Sequence, residues 1–159
     1  MRWFQKSSDG FSFVEIIVVT AIMAVLASAA LPIARVSMRR QKEADCRREL
    51  RNMRTAIDLF KQYADGGALA QSEVQFGSEG YPSSLEQLVD GALLANDATG
   101  RKKKFLRRIP VDPLTGSADW GKRAYQDAND ARVWGGQNVY DVYTKAEGKG
   151  LDGTKYRDW

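Results

Sequence analysis

Residues 10–34 read GFSFVEIIVVTAIMAVLASAALPIA, and from Ile16 to Ala34 they carry no charge. Those 19 residues span roughly 28 Å as an α-helix, about the thickness of a bilayer's hydrocarbon core. Inside a water-soluble domain such a helix would need an apolar coat on every side. The chain has 159 residues, and its mean hydropathy is −0.44 despite this run. The remainder is therefore polar, and it is too small to supply that coat. The stretch predicts a membrane-spanning helix tethering one modest domain. Ahead of it stands MRWFQKSSDG, residues 1–10, polar, with Arg2 and Lys6, and ending in glycine. An ordinary secretory signal cut near Ala27-Ser28-Ala29 is the alternative. It fits poorly, because the apolar run is long and a carboxylate stands near its start.

That carboxylate is Glu15. A charge in a membrane span costs roughly 2.5–3.5 kcal/mol at the helix centre and less near the interface. Glu15 either sits among the headgroups or pairs with a cation from another chain. Cleavage after Gly10 would create such a cation, the free amine of Phe11, four residues before Glu15.

The order Gly10-Phe11-Ser12-Phe13-Val14-Glu15, followed by the apolar run, resembles the processing site of type IV prepilins and type II secretion pseudopilins. The resemblance implies that a prepilin peptidase cuts after Gly10 and N-methylates Phe11. It also implies that Glu15 sets filament register against a neighbour's amine, and that Pro32 stands where the family often has a helix-kinking proline. One feature points the other way. Arg35, Arg39, Arg40 and Lys42 follow the span, and a positive-inside count would put the N-terminus outside. The resemblance puts residues 1–10 in the cytoplasm, and its motif is the more specific signal.

Pro32 is expected to kink or locally melt the helix. Beyond it Cys46, Leu50, Met53, Ile57, Phe60 and Ala64 recur at steps of four and three, an apolar stripe on one helical face. Glu43 and Arg47 have the spacing of a favourable ion pair, and Gly66-Gly67 should stop the helix. The expected layout is residues 1–10 as leader, 11–34 as transmembrane and assembly helix, 35–65 as its amphipathic continuation, and 66–159 as a globular head. Ser83-Ser84-Leu85-Glu86 predicts a capped short helix running to about Val89. Strand-like runs follow at 123–126, 132–134 and 139–143. The fold class is α+β, a long helix packed on a small antiparallel sheet.

Within the head, Tyr81-Pro82, Leu85 and Leu88, then Ile109-Pro110-Val111-Asp112-Pro113, then Val139-Tyr140-Asp141-Val142-Tyr143 resemble the head of type II secretion major pseudopilins. Leu114-Thr115-Gly116 departs from the usual Trp-Gly. This likeness implies a structural subunit of a periplasmic filament, anchored in the inner membrane by one span. Its partners would be copies of itself, minor pseudopilins, the prepilin peptidase, an inner-membrane assembly platform and membrane lipid. It also implies calcium in the last loop, held by Glu147, Asp152 and Asp158, although Lys145, Lys149, Lys155 and Arg157 interleave with those acids. A type IV pilin for adhesion, motility or DNA uptake remains an alternative, as does an anchored binding module that never polymerises.

Composition narrows the chemistry. The chain has no histidine and one cysteine, Cys46, so it lacks the commonest general base and any internal disulfide. No carboxylate pair or serine–lysine device is spaced for catalysis, and no enzyme is expected. The net charge is +4. The run Arg101-Lys102-Lys103-Lys104-Phe105-Leu106-Arg107-Arg108 concentrates cations, but Phe105, Leu106 and Ile109 interrupt it as a half-buried strand edge would. Solvated charge fits that run better than a nucleic-acid site.

Overall fold

Pro32 would be the place for the long helix to break, yet α1 runs unbroken as Phe13–Asp65 in the computed structural model, with Pro32 inside it. The expected melting does not occur. A proline removes one N–H from the ladder, and a long helix can carry that loss when the residues on both sides are strong helix formers. The structure describes residues 10–97 and 99–159, without the side chains of 29–31. Of the expected leader only Gly10 falls among them. The chain divides into two units, residues 1–39 and 40–159, and α1 contributes to both.

In the first unit, every described side chain from Phe11 to Arg39 is exposed. In the second unit the apolar stripe does what its spacing demands. Cys46, Leu50, Met53, Ile57 and Phe60 are buried, and Ala64 packs against the core from its edge. Burying one such side chain contributes roughly 1.5–3 kcal/mol, so this face anchors the head. It meets Leu69, Leu85, Leu88, Ala92, Trp120, Val139 and Val142. Helix α1 ends in a glycine-dependent cap: Gly67 adopts φ 63°, Ala68 N–H donates to Tyr63 O at 2.9 Å and Gly67 N–H to Ala64 O at 3.0 Å. This pairing satisfies the last carbonyls.

Helix α2 spans Leu85–Asp90. Its cap is shifted one residue from the expected box. The Ser84 hydroxyl accepts from Gln87 N–H at 3.3 Å, while Gln87 Oε1 accepts from Ser83 N–H at 2.8 Å. Gln87 thus takes the part foreseen for Glu86, because it stands three residues after the cap.

The sheet is two separate antiparallel ladders. Strand β1 (Ala92–Leu93) pairs with β2 (Lys102–Lys103), and β3 (Gly121–Arg123) pairs with β4 (Asp141–Tyr143) in the register Lys122 to Val142. Expected runs 123–126 and 139–143 shrink to the margins of β3 and β4. The run 132–134 is not a strand. Asp127 holds its neighbourhood as a loop, accepting from Ala124 N–H at 2.7 Å and Gly135 N–H at 3.1 Å, a local pairing that competes with a ladder. Trp134 instead donates its ring N–H to Asn138 O at 2.7 Å. Gly121 is required where β3 passes β4, since a Cβ there would lie 2.3 Å from the Tyr143 ring.

Candidate functional site

The segment from Gly10 to Val36 is built for an apolar surrounding. Phe11 and Phe13 are 79% and 78% exposed, and the valines, isoleucines and leucines described beyond them are exposed as well. Polar side chains inside the run are satisfied by the helix itself: Thr20 donates to Ile16 O at 2.8 Å, and Ser28 to Val25 O at 2.7 Å. That internal pairing is what a helix needs where no water is present. The helix is long and apolar enough to cross a membrane. Glu15 lies in its first turn, where a carboxylate faces unpaired backbone N–H groups and the positive end of the helix dipole. Its placement therefore suits an electrostatic partner at the same end.

The loop after β4 is held by α1. Glu43 is buried, and its carboxylate accepts from Leu151 N–H at 3.0 Å and from the Tyr156 hydroxyl at 2.8 Å. Arg54 donates to Asp141 Oδ1 at 2.7 Å, to Val142 O at 3.0 Å and to Trp159 O at 2.7 Å. Arg47 pairs with Asp152 and lies 4.0 Å from the centre of the Trp159 ring. The expected Glu43–Arg47 pair does not form among the described residues; Arg47 reaches across to the loop instead. These three helix residues were not singled out by sequence reasoning as loop holders. Glu43 did carry a signal, since it continues the buried stripe three residues before Cys46.

The three acids proposed for calcium are not brought together. Among the described residues no group of three or more acids or cysteines is placed to hold a metal ion. Asp152 accepts from Thr154 N–H at 3.0 Å and from the Thr154 hydroxyl at 2.6 Å, besides its pair with Arg47. Thr154 and then Arg47 hold its carboxyl down to about 2. Asp158 lies 3.5 Å from the Arg157 guanidinium, and Glu147 is exposed. A cation needs six to eight converging oxygens, whereas Asp152 and Asp158 are engaged by arginine and threonine side chains.

Elsewhere the head motifs converge as structure. Asp112 is fully buried, accepting from Leu114 N–H at 2.8 Å and from the Thr144 hydroxyl. This joins the 109–113 segment to the end of β4. Cys46 lies beside them, and burial, then the Asp112 charge, push its thiol up to about 12. It is an inert core residue. In the basic run, Phe105 packs edge-on against Phe60 at 5.2 Å and Tyr63 at 5.6 Å, while Lys102, Lys104, Arg107 and Arg108 are exposed. Phe105, Leu106 and Ile109 are half-buried as expected, but they follow strand β2 and do not lie in it.

Comparison with known proteins finds the prokaryotic N-terminal methylation motif over residues 5–31. That motif indicates a prepilin-processed, type IV pilin-like protein, and its span includes Gly10 and Phe11, where cleavage and methylation are expected, together with most of the exposed apolar run. No curated protein and no solved structure matches the chain.

Proposed function

We propose that the protein is the major structural subunit of a type II secretion pseudopilus. The observation that carries the reading is one continuous feature: a methylation motif over residues 5–31 that leads into a helix whose described apolar side chains, up to Val36, are all exposed. A surface of that size is stable only in lipid or against copies of itself. The subunit would be held in the inner membrane with its head in the periplasm. Prepilin peptidase would remove residues 1–10 and methylate Phe11. An assembly platform would then transfer the helix from lipid to the filament, where minor pseudopilins would join it. Within a pilin-like class, secretion is favoured over a pilus by the head segments at 81–88, 109–113 and 139–143 and by the lack of a cysteine pair.

The test has two readouts. Mass spectrometry of the chain from its own cells should find Phe11 as the methylated first residue, and a Gly10→Arg variant should retain residues 1–10. Deletion of the gene should leave folded exoproteins in the periplasm while surface pili persist. Loss of pili with normal secretion would overturn the secretion reading, and an unprocessed wild-type chain would overturn the whole.

A further inference from the structure

Three arginines on α1, Arg47, Arg51 and Arg54, line an open cleft of about 610 Å³ against the last loop, facing Lys155, Asp152 and Trp159. The i, i+4, i+7 spacing puts them on one helical face. Arg47 and Arg54 are spent on the loop. Arg51 and Lys155 are exposed, and their side chains have no hydrogen-bond or ion-pair partner among the described residues. The cleft is thus cationic in excess, with the half-buried Trp159 ring, which Arg47 covers on one face, as its apolar wall.

The same head carries a surface of the opposite kind. In the loop before α2, Phe76 is entirely exposed, and Glu73 and Glu79 flank it in sequence. The loop is ordered rather than slack. Gly77, Glu79 and Gly80 take φ values of 77°, 54° and 78°. Ser78 N–H donates to Gln75 O at 3.1 Å, Tyr81 N–H to Ser78 O at 3.0 Å, and Gln126 Nε2 to Gly77 O at 3.3 Å. A left-handed conformation at the non-glycine Glu79 carries a local cost.

We infer that this loop of one copy docks in the arginine cleft of another, with Glu79 meeting Arg51, Glu73 meeting Lys155 and Phe76 covering the apolar wall. The inference rests on the filament reading. A Cβ on Gly80 would lie 3.3 Å from Lys61, so the loop sits beside the end of α1. The cleft sits about ten residues earlier, roughly 15 Å along the helix axis. The two surfaces are distinct patches of one head, so their contact is heterologous, the kind that propagates along a filament. A desolvated aromatic between charge pairs has the make-up of an interface anchor.

The experiment uses the full chain, expressed with its peptidase and platform. Cysteines at 51 and 79 together (Arg51→Cys, Glu79→Cys) should give oxidised ladders of subunits, and either one alone should not, Cys46 being buried. Arg51→Glu and Glu79→Arg should each lower filament yield roughly tenfold, and their combination should restore it. Wild-type filaments whose double-cysteine variant gives no ladder overturn the contact and leave the filament reading intact. So do full yields from either charge variant, or a combination no better than its parts. A wild-type chain that is never processed and makes no filament overturns that earlier reading and the contact with it.

Discussion

Glu43 closes the first turn of the head's own part of α1, where the stripe arithmetic would place an apolar side chain. It is instead a carboxylate only 7% exposed. A buried charge survives when its oxygens are matched, and here the Leu151 amide and the Tyr156 hydroxyl do the matching across more than a hundred residues of sequence. Removing the acceptor strands both donors. Glu43→Ala should therefore lower the stability of the folded head by about 3 kcal/mol, read as an earlier urea midpoint in tryptophan fluorescence with an unchanged slope. Glu43→Gln keeps an acceptor oxygen and should recover part of that loss. An alanine variant as stable as wild type would show that the loop is held by Arg47 and Arg54 alone.

At the scale of elements, the last loop is a segment clamped by arginines and a glutamate, and its response to solution conditions follows from that. The Asp152 carboxyl is held at about 2 against an ordinary value of 3.8, chiefly by Thr154 and next by Arg47. A lowered carboxylate contributes stability above its unfolded value and loses it as pH falls through the folded one. The clamp should thus be intact above pH 4 and released by pH 2, seen as faster amide exchange at Thr154 or a shift in Trp159 emission. Millimolar calcium should leave the melting temperature unchanged, because Asp152 would have to abandon Arg47 to bind it. A rise with calcium would restore the ion expected from the family likeness. The loop also marks where sequence reading stops. The stripe from Cys46 to Phe60, the Gly66-Gly67 stop and the helix after Ser84 were legible because each is a local pattern of period or cap. Strands β1 and β2 were not, being two residues each and including lysines with little strand preference. Nor were the contacts of Glu43, Arg47 and Arg54, which join residues far apart and leave no periodic trace. Asp127 turned 132–134 into a loop by hydrogen bonds that the apolar character of Val133 and Trp134 did not reveal.

For the whole molecule, the two units call for different surroundings: residues 40–159 bury their own core, and no described side chain of the helix ahead of them is buried. Assembly must exchange lipid for neighbouring helices around that surface, and the two are almost equally apolar. The hydrophobic effect therefore contributes little to choosing between them or to fixing register. Register needs a directional term, and Glu15 is the only charge between Gly10 and Ala34. Replacing it with alanine makes the segment more apolar, so insertion should be as good or better, and the head, which buries its own core, should fold as before. Cleavage should persist because Gly10 and Phe11, the two residues on either side of the expected cut, are unchanged. What should fail is the filament: Glu15→Ala should give methylated, membrane-inserted, folded subunits and few or misregistered filaments by electron microscopy, with Glu15→Asp intermediate. Filaments of normal yield and order from the alanine variant would remove the ion pair from the mechanism and leave helix packing as the sole source of register.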